Sequence, residues 1–149
     1  MRTVLQRVDE ARVVVGGKRV ARIERGLLLL TAVEAGDTEA SAMAHAEKLA
    51  ALRVFPDGEK AFDKPVGDVG EVLAVSNFTV AAATAKGRRP ALAPAAGPKE
   101  ANALFGRFVD RLRELGLPVA TGIFGADMKV HSINDGPVTF IVGGAGDAR

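Results

Sequence analysis

The sequence predicts an α+β domain made mostly of strands, with two main helices. Three observations carry this. Apolar runs of strand length, alternating or continuous, recur about eight times along the chain. Only two stretches place apolar residues at helical spacing. The order is β-rich, helix, β, helix, β, and a doubly wound sheet would instead alternate the two.

Residues 3–8 alternate, with Val4, Gln6 and Val8 on one side and Thr3, Leu5 and Arg7 on the other, which predicts a first strand. A second is expected over 11–15, and Val15-Gly16-Gly17-Lys18 signals a two-residue hairpin into a third over 19–23. The continuous apolar run Leu27-Leu28-Leu29-Leu30-Thr31-Ala32-Val33 after Gly26 predicts a strand buried on both faces. Asp37 is placed to cap a helix reaching about Leu52, with Met43, Ala46, Leu49 and Ala50 as its buried stripe and His45 on its surface. Residues 55–70, rich in Pro, Asp, Gly and Lys, predict a loop or a loosely paired hairpin. A strand over 72–80 carries Ser76-Asn77-Phe78-Thr79, and 81–97 is aperiodic and predicts an exposed loop. The clearest helix starts at Pro98, runs Ala101, Leu104, Phe105, Phe108, Leu112 and Leu115 along one face, and stops at Gly116 and Pro118. Strands over 120–124, 128–133 and 138–142 finish a single domain of residues 1–142, with 143–149 as a frayed tail.

The 149 residues are enough for one domain with a real core, and 48% hydrophobic with 26% charged residues excludes wholesale disorder. No apolar run is long enough to span a bilayer, and charges inside the first apolar segment argue against a signal peptide. With no cysteine, a disulfide framework or thiolate metal site is impossible, and the expected compartment is the cytoplasm. A net charge of +2 does not by itself indicate nucleic-acid binding.

The side chains offer no conventional enzyme. The two histidines, His45 and His131, form no metal motif, so no metal and no cofactor is expected. A triad of Ser76, His131 and Asp127 lacks the G-x-S-x-G turn that exposes a nucleophilic serine. Lys86, Arg88 and Arg89 form a compact cation cluster, either a phosphate-holding loop or a solvated one. Asn134-Asp135-Gly136-Pro137-Val138-Thr139 separates two strand-like runs. It reads as an ordinary hairpin turn, or as a kink at Gly136-Pro137 that breaks the ladder and turns neighbouring carbonyls the same way.

Read together, several segments resemble one family in order: Leu5-Gln6-Arg7-Val8, Leu52-Arg53-Val54-Phe55, Val75-Ser76-Asn77-Phe78-Thr79, Lys86-Gly87-Arg88-Arg89-Pro90, Phe124-Gly125-Ala126-Asp127-Met128 and Asn134-Asp135-Gly136-Pro137-Val138-Thr139. The chain is similar to D-aminoacyl-tRNA deacylases up to about Val142. That resemblance implies a barrel-like sheet completed by homodimerisation. It implies hydrolysis of the ester between a D-amino acid and the terminal adenosine of tRNA, with glycyl-tRNA as an additional substrate. It implies a cis Gly136-Pro137 bond whose carbonyls, supplied with Val138 across the dimer, grip the substrate's ammonium group. Arg7 would orient them. Ser76, Asn77, Phe78 and Thr79 would line the catalytic pocket, the substrate's 2′-OH would help activate water, and Lys86, Arg88 and Arg89 would hold the acceptor stem. Phe124 and Met128 would surround the adenine, or else belong to the core. The family usually has glutamine where this chain has Asn77, which leaves a second expectation: a dimeric protein that binds the tRNA 3′ end without turnover.

Overall fold

The computed structural model describes residues 1–144, so the expected tail lies, for 145–149, outside the described residues. Strand β1 (Arg2–Val15) is the organising element. It is one continuous strand where two were expected, because both halves pair along their full length with a single partner. That partner is β8 (Lys129–Gly143), which lies antiparallel on one side. The other side of β1 is shared by β2 (Lys18–Ile23) and β3 (Gly26–Ala32), which pair with its second and first halves. From β3 the sheet continues in parallel through β6 (Glu71–Ser76) to β7 (Val119–Thr121). β2 comes back against β6 and β7, so the six strands form a nearly closed, barrel-like sheet in one domain.

Burial follows the pleat. Leu28 joins Val8, Ala11, Val13, Ile23, Leu73 and Val75 in one cluster on the inner side of the sheet. Leu27 and Leu29 face the other way, into a larger core with the helices, and all three leucines are about 1% exposed. The run is buried on both faces, as its unbroken hydrophobicity predicts.

Helix α1 (Glu39–Ala51) begins one residue later than expected. Thr38, not Asp37, is its cap: Thr38 Oγ1 accepts from Ser41 N and Ser41 Oγ accepts from Thr38 N, a reciprocal box that satisfies two end donors. Asp37 instead takes the Met1 ammonium at 2.6 Å and the Glu34 N–H at 2.7 Å. The buried stripe is also rotated, to Ala42, His45, Ala46 and Leu49. His45 is therefore not a surface residue. Its Nε2 lies 2.8 Å from Thr3 Oγ1, which in turn meets Thr31 Oγ1, and its ring leans on Phe108. A polar side chain at that depth needs such a partner, and Thr3 supplies it.

β4 (Arg53–Asp57) and β5 (Lys60–Pro65) form a separate hairpin. Helix α2 (Pro98–Glu114) starts with proline and closes at Gly116, as read from the sequence, and buries Ala101, Phe105, Phe108, Val109 and Leu112. Leu115, expected on that face, is exposed because the helix has ended. Gly143 pairs with Arg2, and the Gly144 N–H reaches the Met1 carbonyl at 3.1 Å, so the chain is still tied in just past β8.

Candidate active site

β6 stops at Ser76, four residues short of the expected strand end. The cause is local. Asn77 Oδ1 accepts from both the N–H and the hydroxyl of Thr79, which folds Phe78–Ala81 into a single 3-10 turn. The Asn77 N–H meanwhile bonds the Thr31 carbonyl at 2.8 Å, so the turn stays fixed to β3. A short polar side chain that bonds two residues ahead competes with the sheet ladder, and here it wins.

The turn forms the rim of a cleft of about 430 Å³. Of the predicted site residues, Ser76, Asn77, Phe78, Phe124 and Met128 all line it. Phe78 stands 58% exposed at the mouth, and Phe124 touches the helix side through Phe105, with ring centroids 6.4 Å apart. Thr79 adjoins the cleft through its bonds to Asn77. Sequence reasoning missed Thr31, Phe105 and Val130, which also line it. Thr31 had one signal, a lone hydroxyl in an otherwise apolar run.

Among the described residues, no ionisable side chain lines this cleft. Asp127 is 91% exposed, His131 is exposed, and no hydrogen bond among the described residues joins either to Ser76. The triad is not assembled. What the cleft offers is hydroxyl, amide and main-chain groups between apolar walls.

The second half of the predicted site lies elsewhere on the protomer. Residues 134–139 do not form a hairpin turn, because the strand on either side of them pairs with the same β1. Asn134 faces Val8 and Thr139 faces Gln6, so the four residues between them bulge opposite Arg7 alone. The bulge is held internally: Asn134 Oδ1 accepts from the Val138 N–H at 3.0 Å, and Asn134 Nδ2 donates to Thr139 Oγ1 at 2.9 Å. The Gly136-Pro137 peptide is cis. Gly136 has φ +129°, and a Cβ there would stand 2.7 Å from Val138 Cγ2 and 2.9 Å from its backbone nitrogen, so only glycine fits. Arg7 sits beneath. Its Nη1 donates to the Val54 carbonyl, and its Nε lies 2.9 Å from Asp135 Oδ2, off the line of a hydrogen bond, so charge rather than a directed bond links them. None of Arg7, Gly136, Pro137 or Val138 lines the cleft. Val130, which does, is six residues up the strand from Gly136, a span of up to about 20 Å.

Lys86, Arg88 and Arg89 are exposed on the loop of residues 82–97, and no ion pair among the described residues engages them.

The comparisons with known proteins decide the family. The family profile described as D-Tyr-tRNA(Tyr) deacylase matches residues 4–143. The chain belongs to this family. It is similar to proteins named D-aminoacyl-tRNA deacylase of Geobacter metallireducens, 57% identical, and Geobacter sulfurreducens, 56% identical, each over 95% of this chain and 94–95% of the relative. The family is one of hydrolases. Among solved structures, one described as a c-Myc DNA unwinding element binding protein aligns with a TM-score of 0.90 at 35% identity, covering 97% of this chain and 99% of the other. Another, described as a probable eukaryotic D-amino acid tRNA deacylase, aligns at 0.78 with 18% identity over 95% of this chain and 97% of the other, a likeness of fold.

Proposed function

We propose that this protein hydrolyses the ester bond of D-aminoacyl-tRNA, releasing the D-amino acid and free tRNA, and that its working form is a homodimer. The observation that carries the reading is that the two groups of predicted site residues lie apart on one protomer. One protomer holds a neutral cleft with no motif for the substrate's amine, and it displays Gly136-Pro137 exposed on a strand whose second edge is open. A second protomer would bring the missing half to each cleft.

In this reading the terminal adenosine enters between Phe124 and Met128. The ester lies against the Ser76–Thr79 rim, whose hydroxyl and N–H groups stabilise the developing oxyanion. With no ionisable side chain among the described residues that line the cleft, water is activated with help from the substrate's own 2′-OH, and the protein contributes position. The partner's Gly136 and Pro137 carbonyls, with Val138 beside them, accept from the α-ammonium. That fixes the α-carbon, so a D side chain points to open space and an L side chain meets main chain. Glycine has nothing to reject, and glycyl-tRNA is cleaved too. Arg7 keeps the bulge in place through Asp135. Lys86, Arg88 and Arg89 hold the acceptor stem, in the cytoplasm where charged tRNA is found.

Incubating D-aminoacyl-, L-aminoacyl- and glycyl-tRNA with the protein tests this directly. Release is expected from the first and third and not from the second. Tight binding without release from any of them would favour a tRNA-end-binding protein that has lost turnover at Asn77.

A further inference from the structure

Beside the cleft lies a smaller groove of about 210 Å³, and Phe105 and Phe124 line both. The helical side of the groove is a stripe of α2. Asn102, Gly106 and Asp110 follow one another at four-residue spacing, all exposed, and Arg113 stands at the end. Gly106 is the unexpected residue. A glycine inside a helix weakens it relative to alanine, and a Cβ built at this one would meet nothing within 4 Å. Packing does not call for a glycine here. Its effect is to leave the helix surface bare where a flat ring can lie against it.

The polar groups around this bare patch are complementary in kind. Asp110 only accepts hydrogen bonds, Asn102 both donates and accepts, and Arg113 only donates. Arg113 Nη2 is anchored to the Val119 carbonyl at 3.2 Å, and its Nη1 lies 3.8 Å from Asp110, so the guanidinium is tied to this end of the groove.

From these features we infer that the groove is a subsite for the nucleotide preceding the terminal adenosine, the cytidine of the CCA end that tRNAs share. The inference rests on the reading that the adenosine occupies the main cleft. Phe124 then stands between two successive nucleotides and offers a face for stacking. Cytosine presents an exocyclic amine for Asp110 and ring acceptors for the Asn102 amide. Uracil would turn an oxygen towards the Asp110 carboxylate.

Equilibrium binding of the dinucleotide CpA, of UpA and of 5′-AMP tests this without any need for turnover. CpA is expected to bind about 10-fold more tightly than AMP, with UpA in between. Gly106→Ala should raise the melting temperature while reducing the CpA advantage, and the bulkier Gly106→Leu should abolish it, with AMP binding unchanged in both. Equal affinities for CpA and AMP, no binding of either, or a CpA advantage untouched by Gly106→Leu would overturn the subsite. An intact CpA preference in a protein that releases no amino acid from D-aminoacyl-tRNA would remove the hydrolase reading and leave the subsite standing.

Discussion

Asn77 shapes the rim of the cleft. It closes the 3-10 turn by accepting from both donors of Thr79. Asn77→Ala removes that cap, and a drop of about 1 kcal/mol in stability is expected with a fall in kcat, measured by denaturant unfolding and single-turnover deacylation. Asn77→Gln moves the amide one methylene outward and should loosen the same turn, lowering kcat as well. A gain in turnover with glutamine would instead favour the binding-only protein. Gly136→Ala forces a side chain into a backbone conformation that disfavours it, at a cost of about 1–3 kcal/mol. Displacing the bulge by a fraction of an ångström to one ångström should lower kcat/KM by about 100-fold. The cis Gly136-Pro137 bond was legible in the sequence through the resemblance to the family. The course of the backbone at 76–79 was not. Val-Ser-Asn-Phe-Thr-Val reads as strand, and only the bonds to Thr79 and Thr31 show that it turns out of the sheet at Asn77.

Among the elements, α2 was read almost to the residue, since Pro98, Gly116 and a strong apolar face all mark it. α1 was read one notch out of rotation, because alanines dominate its stripe and the inward His45 depends on Thr3, a distant strand residue. The Gly-Pro stretch carries every local signal of a turn, yet long-range pairing with β1 on both flanks makes it a bulge. An ionic cluster along α2 predicts a pH response. Glu114 accepts from Arg107 and Arg111, and these hydrogen bonds hold its carboxyl below the usual carboxylate range. A lowered folded-state pKa means that the contribution is present at neutral pH and fades as pH falls through that lowered value. Glu114→Gln should remove this acid-dependent part of the melting curve and leave the rest of the profile unchanged. At the basic loop, neutralising Arg88 and Arg89 should weaken tRNA binding and flatten its salt dependence by roughly one unit of slope for each phosphate they no longer neutralise. An unchanged slope would take the loop out of the interface.

The molecule as a whole shows an edge that a lone protomer leaves uncovered. Among the described residues β8 pairs only with β1, and Ile133, Phe140 and Ile141 are 54%, 40% and 73% exposed along it, with Phe62 of the β4–β5 hairpin against Phe140. An open strand edge with large apolar side chains is a surface for another chain to pair with. Sedimentation at assay concentration should therefore find a dimer. The sequence made the fold class and the family legible, but the separation of Gly136-Pro137 from the cleft of the same protomer depends on where β8 lies, which no local pattern encodes.

Mixing two inactive variants decides whether Gly136-Pro137 serves the neighbouring protomer's cleft. One variant carries a disrupted rim (Ser76→Ala with Asn77→Ala), the other Gly136→Val, and the two are unfolded and refolded together. If the motif acts across the dimer, hybrids have one complete site, and D-aminoacyl-tRNA deacylation should return to about a quarter of the wild-type level, since hybrids form half of the dimers and carry one intact site of two. Activity no higher than that of the separate variants, in a mixture shown to contain hybrid dimers, would mean that the motif does not serve the partner's cleft.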